Sequence, residues 1–318
     1  MIITAILFVL GFLILIKGAD YLVDGSSSIA SKYNISNLII GLTIVSFGTS
    51  APELIINILA SFSGSSDIAV GNVLGSNIAN IFLILGITAL ISNLPLKKST
   101  VFSEIPFTLL AVFLVGFLAN IDIFDKVPGL LLSQIEGIIL LTFFVLFLGY
   151  IFILSKEDDD IVEDVELGLS KGKSIIYIIV GMLGLFFGGK WVVDGALEFA
   201  THFDLSESFV GLTVVSLGTS LPELVTSVNA AKKGNSDIAV GNIVGSNIFN
   251  LLWILGVSAT IKELTFTLES NIDILVTAFA SIMLLLSMTY GKKYSISKRD
   301  GVIYLLCYVS YLIYIYYR

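Results

Sequence analysis

Charge is what this sequence has least of. Only 13% of its 318 residues are Asp, Glu, Lys or Arg, against 56% hydrophobic, and the mean hydropathy is +0.98. A soluble domain is usually about 25% charged, so a soluble two-domain enzyme is excluded and a polytopic membrane protein remains. The single cysteine, Cys307, permits no internal disulfide and no cysteine metal site. The single histidine, His202, excludes histidine-cluster metal chemistry. A formal charge of −8 leaves no electrostatic footprint for nucleic acid. The N-terminal MIITAILFVLGFLILIK lacks a basic leader and a small-residue cleavage site, and it reads as a retained first helix.

What is present is a repeat. Residues 41–88 align without a gap on 211–258, an offset of 170, with 28 identities in 48 positions. The same offset carries Gly18, Val23, Asp24 and Gly25 onto Gly188, Val193, Asp194 and Gly195. Hydropathy predicts helices near 2–30, 37–61, 68–92, 104–120 and 129–154, then 175–200, 208–231, 237–260, 271–290 and 301–317. At about 20 residues per span, ten helices leave only short loops. Five helices per half is an odd number, so the second half enters the membrane reversed. The expected fold is therefore all-α and integral to the membrane, with ten transmembrane helices as two inverted-topology five-helix repeats, 1–154 and 175–318.

Between them, residues 155–174 form an acidic segment that reads as a solvated cytoplasmic linker. Its acids lack the spacing of an EF-hand loop, so a calcium-sensing role is the weaker reading. Counting Lys and Arg with both termini outside places twelve on the cytoplasmic side (Lys32, Lys97, Lys98, Lys156, Lys171, Lys173, Lys232, Lys233, Lys292, Lys293, Lys298 and Arg299) and three outside (Lys126, Lys262 and Arg318). That bias sets both termini outside and the 156–173 loop in the cytoplasm of a cell membrane protein.

Glu53 and Glu223 each sit inside an otherwise uncharged helix, in the frame Gly-Thr-Ser-x-Pro-Glu. A carboxylate at membrane depth costs at least about 2.5–3.5 kcal/mol, and one that persists there usually faces a cavity or pathway. Pro52 and Pro222 deny a backbone donor to the preceding turn. Gly48 and Gly218 let the chain open, so the carbonyls of Ser46–Thr49 and Ser216–Thr219 are expected to lack helical partners, which is tolerated only around a polar cavity. Carboxylates, carbonyls and hydroxyls together suit a hard cation, and two glutamates match the charge of one Ca²⁺. The alternative, a protonated glutamate capping a kinked helix, has to occur twice in the same frame.

The second block, Gly71–Asn80, is matched by Gly241–Asn250. Its small-xxx-small glycine pairs allow close helix approach. Ser76 and Asn80 share one helical face, as do Ser246 and Asn250, and that stripe is placed to offer oxygens to the glutamates. Asn72, Asn77, Asn242 and Asn247 fit interhelical glue and ligation equally well. Asp67 and Asp237 fit as N-caps, Asp20, Asp24 and Asp194 as boundary residues, Lys190 as a snorkelling side chain, His202 as a loop residue, and Tyr304–Tyr317 as an interfacial belt with lipid-facing packing.

At these blocks the sequence resembles the cation/calcium antiporter superfamily, in its sodium/calcium exchanger branch. The resemblance covers nearly the whole chain and implies an alternating-access exchanger with one calcium site and neighbouring sodium sites at midmembrane. It implies Glu53 and Glu223 as shared ligands, Thr49 and Thr219 as backbone-carbonyl ligands, and Ser50, Ser76, Ser220 and Ser246 as sodium ligands. Ser46 and Ser216 would add carbonyls, and Asn80 and Asn250 fall at the family's polar positions. It also implies three Na⁺ per Ca²⁺. Some relatives, including potassium-dependent ones, carry an acid where Asn250 stands, so potassium cotransport is the less expected coupling. The frame differs from the Gly-Asn-x-x-Glu type of proton/calcium exchangers, and the large cytoplasmic domains of animal exchangers are absent.

The function expected is secondary antiport of Na⁺ against Ca²⁺ in the bilayer, with a proton- or potassium-coupled cation/calcium exchanger as the rival on the same fold. A channel needs a continuous pore, often on a rotational axis between subunits. An enzyme lacks a nucleophile–base pair near the glutamates. No cofactor, nucleic acid or obligatory protein partner is expected.

Overall fold

The computed structural model describes residues 2–33, 35–96, 102–120, 130–157, 169–202, 216–290 and 294–317. Twelve helical segments account for almost all of them: α1 (Ile2–Tyr33), α2 (Asn37–Thr49), α3 (Ala51–Ser63), α4 (Ser66–Ile91), α5 (Glu104–Asn120), α6 (Gln134–Glu157), α7 (Lys171–His202), α8 (Ser216–Thr219), α9 (Leu221–Lys232), α10 (Ser236–Ile261), α11 (Leu268–Tyr290) and α12 (Lys298–Tyr317). Among the described residues, seven helices are long and apolar enough to cross a bilayer, and the α2–α3 pair, bent by 49°, makes an eighth. α5 is apolar but shorter, and α8–α9 is described only from residue 216. Ile6, Val9 and Leu13 on α1, Val145 and Phe152 on α6, and Ile175, Ile179 and Leu183 on α7 all point outward. Large apolar exteriors of this kind fit a lipid surrounding. α10 is almost wholly buried and forms the centre of the bundle.

The two halves are interleaved. Strand β1 (Leu94–Pro95), just after α4, pairs with β4 (Ser295–Ile296), just before α12; β2 (Leu131–Leu132), before α6, pairs with β3 (Leu264–Thr265), after α10. Each ladder thus joins one half to the other. Each is extended by one further bond at equivalent positions, Leu96 N–H to Tyr294 O and Phe266 N–H to Leu130 O, both 2.8 Å.

α1 packs along α7 through glycines that the 170-residue offset also relates. A Cβ on Gly18 would lie 2.9 Å from Gly181 O, and one on Gly188 2.8 Å from Gly11 O. The backbones touch directly, as small residues allow where no hydrophobic force drives helices together.

Helix ends shift from the expected ones for identifiable reasons. Ser133 N–H donates to Glu136 Oε2 at 2.7 Å, and Ser297 N–H donates to Asp300 Oδ2 at 2.8 Å. These Ser-x-x-acid brackets, reciprocated by the serine hydroxyls at 3.5 Å, start α6 at Gln134 and α12 at Lys298. α7 begins at Lys171, inside the expected linker, whose residues 158–168 lie outside the described ones. Asp67 and Asp237 are not N-caps: Ser65 and Asn235 hold that position, and the aspartates fall in the first turn, where a carboxylate meets the helix dipole. His202 ends α7 rather than lying in a loop. The C-terminal tyrosines do not all face lipid. Tyr304 is fully buried with its hydroxyl on Ser287 Oγ at 2.9 Å, and Tyr311 is buried against Asp273 Oδ1 at 3.0 Å, whereas Tyr316 and Tyr317 are exposed.

The glycine seam sets a stability test. A Cβ on Gly181 would lie 2.6 Å from the backbone nitrogen of Leu22, which cannot yield without moving α1. Gly181→Ala should destabilise the detergent-solubilised protein by about 1–3 kcal/mol in thermal unfolding. Gly149→Ala, with nothing within 4 Å, should leave the transition unmoved.

Candidate functional site

The local chain path at the two glutamates follows from their neighbours. Ser50 and Ser220 have φ/ψ of −84°/10° and −83°/3°, off the helical values, and Pro52 and Pro222 stand in the first turn of the helices that follow. The break is a single residue wide. Glu53 and Glu223 therefore sit in the first turns of α3 and α9, where the positive end of the helix dipole favours a carboxylate.

The bend brings each serine to the other half's glutamate. Ser50 Oγ donates to Glu223 Oε1 at 2.8 Å, and Ser220 Oγ to Glu53 Oε1 at 3.5 Å. Ser246 Oγ adds a bond to Glu223 Oε1 at 3.4 Å. Both glutamates are 1% exposed. Among the described residues no salt bridge reaches them, the ion pairs found being Lys17–Asp20, Lys190–Asp194 and Lys233 with Asp20 and Asp24.

Five buried oxygens in these blocks have no hydrogen-bond partner: Glu53 Oε2, Glu223 Oε2, Ser76 Oγ, Asn80 Oδ1 and Asn250 Oδ1. A buried ionised carboxylate with no counter-charge costs several kcal/mol, and unpaired buried acceptors add to that. A cation relieves both. The donors are all oxygen, two of the five are carboxylate, and no third acid, cysteine or histidine joins a cluster among the described residues. That set matches a hard cation.

A second layer holds the threonines. Thr49 Oγ1 donates to Asn242 Oδ1 at 3.0 Å, Asn242 Nδ2 to Ser227 Oγ at 3.0 Å, and Ser227 Oγ to Ala239 O at 3.2 Å. The equivalent chain runs from Thr219 Oγ1 to Asn72 Oδ1 at 3.5 Å, Asn72 Nδ2 to Asn57 Oδ1 at 2.7 Å, and Asn57 Nδ2 to Ala69 O at 3.0 Å. Asn72 and Asn242 are thus tied on both faces of their amides. Asn57 and Ser227 were not among the expected residues. Their signal was a polar side chain four positions after each glutamate, on the same helical face.

The expected opening of the backbone is narrower than the sequence implied. Ser46–Thr49 is helical, and the Ser46 carbonyl accepts from Ser50 N–H at 3.0 Å and Thr49 Oγ1 at 3.3 Å. It is therefore not left without a helical partner. The Ser46 hydroxyl is also turned back onto Leu42 O at 2.8 Å. Ser216 starts α8, and its side chain lies outside the described residues.

The irregularity that does exist was not anticipated. Wide π-helical turns occupy Gly41–Val45, Ala79–Leu85 and Phe249–Ile254, the last two each starting one residue before Asn80 and Asn250. Such turns re-aim side chains and are frequent at functional sites. Glu104 and Asp273 are also buried, each accepting from a tyrosine hydroxyl at 3.0 Å, Tyr150 and Tyr311 respectively.

The sequence profile described as "Sodium/calcium exchanger protein" matches residues 3–153 and 173–317. The chain is 37% identical to the putative antiporter CaxA of Alkalimonas amylolytica, covering 98% of each. It is 31% identical to the sodium/calcium exchanger MaX1 of Methanosarcina acetivorans, again over 98% of each. The solved structure of the sodium-calcium exchanger NCX_Mj, soaked with Na⁺ and Ca²⁺, superposes with a TM-score of 0.82 at 31% identity and 97% coverage of both chains.

The relay yields a stability prediction. Asn57→Leu removes the acceptor of the buried Asn72 amide and the side-chain bond that ties α3 to the Ala69 carbonyl of α4. Thermal unfolding in detergent should fall by about 1–3 kcal/mol, and an unchanged transition would show that the relay holds nothing.

Proposed function

The chain belongs to the sodium/calcium exchanger family, and we propose that it works as a secondary antiporter exchanging Na⁺ for Ca²⁺ by alternating access in the cell membrane. The observation that carries this reading is the reciprocal pairing of Ser50 with Glu223 and Ser220 with Glu53 beside five unpartnered buried oxygens. Glu53 and Glu223 are the ligands shared by Ca²⁺ and Na⁺, with Ser50, Ser220, Ser76, Ser246, Asn80 and Asn250 supplying neutral oxygens. Thr49 and Thr219 contribute backbone carbonyls, with Ser46 and Ser216 behind them.

In this reading the chain has ten transmembrane helices in two five-helix repeats, 1–154 and 175–318, of opposite orientation around the 155–174 linker. Support comes from polar bonds that recur across halves at an offset of 170 residues, and from the two crossed ladders. An odd number of spans per repeat relates the halves by an axis in the membrane plane, which brings matching residues together at midmembrane. The twelve-to-three count of basic residues places both termini outside and the linker in the cytoplasm.

Calcium uptake into proteoliposomes should follow an imposed Na⁺ gradient and ignore a proton gradient; uptake driven by protons alone would transfer the protein to the proton-coupled class. Glu53→Gln or Glu223→Gln should each abolish uptake while leaving the protein folded, because one charge half-neutralises Ca²⁺ in a site where Coulomb terms are large. Near-normal exchange by either variant would make that glutamate structural.

Exchange should also be electrogenic. Two carboxylates balance one Ca²⁺, three Na⁺ exceed them by one charge, and Asn80 and Asn250 cannot titrate to absorb it. One net charge crossing ~100 mV is worth about 2.3 kcal/mol, roughly fifty-fold in the equilibrium calcium ratio. Sodium-driven calcium flux under a valinomycin potential should reverse its bias with the sign of that potential. Flux indifferent to the sign would indicate two Na⁺ per Ca²⁺.

A further inference from the structure

Four asparagines from α4 and α10 meet in crossed pairs. Asn80 Nδ2 donates to Asn247 Oδ1 at 2.9 Å, and Asn250 Nδ2 donates to Asn77 Oδ1 at 3.2 Å. The 170-residue offset converts one bond into the other. All four side chains are buried, at 1% exposure or less. Asn247 Nδ2 is anchored further, on the Asn77 backbone carbonyl at 3.4 Å.

An amide presents either a carbonyl or an NH₂ group, and the partner that captures one end decides which end remains for a third group. Here the NH₂ ends of Asn80 and Asn250 are taken. Their Oδ1 atoms are left buried and unpartnered, together with both Glu Oε2 atoms and Ser76 Oγ. A flipped amide would turn two partial positive hydrogens toward a cation in a low-dielectric site, where the repulsion is strong. The motif Ser-Asn-x-x-Asn therefore carries two jobs: its last asparagine offers an oxygen, while its first holds the last asparagine of the opposite half.

We propose that Asn77 and Asn247 are positioning residues, whose side-chain oxygens capture the amides of Asn250 and Asn80 and keep the carbonyl ends of those residues turned to the transported cation. Neither half orients its own asparagine ligand; each is held by the other. The inference rests on the reading above that Asn80 and Asn250 are ligands.

The test is a pair of double-mutant cycles on purified protein, with Ca²⁺ and Na⁺ affinities measured by titration calorimetry and folding checked by size exclusion and thermal unfolding. Asn80→Leu and Asn250→Leu should each weaken binding of at least one ion by about tenfold. Asn247→Leu and Asn77→Leu should produce comparable losses. Each double variant, Asn80→Leu with Asn247→Leu and Asn250→Leu with Asn77→Leu, should be no worse than its ligand variant alone, because a positioning residue acts only through its ligand. Additive losses would overturn the inference, as would unchanged affinity in Asn77→Leu and Asn247→Leu.

Asn77→Asp and Asn247→Asp, which keep an acceptor oxygen at the same reach, supply the second arm. They should hold affinity at or above that of the parent. A loss in the folded aspartate variants as large as in the leucine variants would overturn the inference, since the acceptor would then be irrelevant. Unchanged affinity in Asn80→Leu and Asn250→Leu would instead remove the ligand reading on which it stands.

Discussion

Glu53 and Glu223 are each 1% exposed, and among the described residues neither meets a basic side chain. An arrangement of that kind raises the free energy of the ion-free bundle, because solvation lost on burial is not returned by a fixed partner. What the protein supplies instead is partial: a helix N-terminus under each carboxylate and one serine hydroxyl from the opposite half. A permanent Lys or Arg would satisfy the carboxylates and thereby compete with any cation. The surrounding architecture keeps two carboxyl groups together at the cost of leaving one oxygen of each without a partner.

That requirement accounts for the layering around the site. Thr49 and Thr219 are fixed through Asn242 and Asn72 to backbone carbonyls on α10 and α4, so the residues flanking the break cannot drift. The Ser50 and Ser220 breaks are confined to one residue, with the Ser46 carbonyl still bonded within its helix. Irregular backbone in a bilayer is tolerated only when each freed polar group finds a partner, and a one-residue break frees few. The π-helical turns at Asn80 and Asn250 serve the same economy, since they shift the helical register by widening a turn and keep the helix continuous.

Much of this was legible in the sequence because the repeat is dense in polar residues that have no ordinary place in a membrane helix. Glu53, Glu223 and their Gly-Thr-Ser-x-Pro frames could be singled out because a buried acid at matching positions has no simple structural excuse. Helix existence followed from hydropathy, and the ends at Gln134 and Lys298 were missed because Ser-x-x-Glu and Ser-x-x-Asp brackets carry more weight there than apolarity. Asn57 and Ser227 were missed because an asparagine and a serine do not resemble one another, although their positions are equivalent. The roles of the second-layer asparagines could not be read from spacing, since glue and ligation use the same amide and only its partners distinguish them. Tyr304 and Tyr311 were misplaced because a tyrosine near a helix end is equally suited to a membrane interface and to a buried hydroxyl bond.

The halves are alike in their bonds and unlike in their chemistry, and the differences bear on energetics. Ser246 bonds Glu223, whereas its equivalent Ser76 has no partner. Asn57 and Ser227 close equivalent relays with an amide and a hydroxyl. Lys233 bridges to Asp20 and Asp24 at 3.2 and 2.8 Å, tying the end of α9 to α1, while the equivalent of Lys233 is Ser63, which carries no charge. In a chain whose halves were identical, exchanging the conformations of the two halves would cost nothing. In this chain the two halves differ by an ion pair, an amide and a serine contact, and of these the exposed ion pair is worth about 0.2–1 kcal/mol. The repeat thus supplies the shared geometry of the site, and the residues that break the repeat make its two sides energetically unequal.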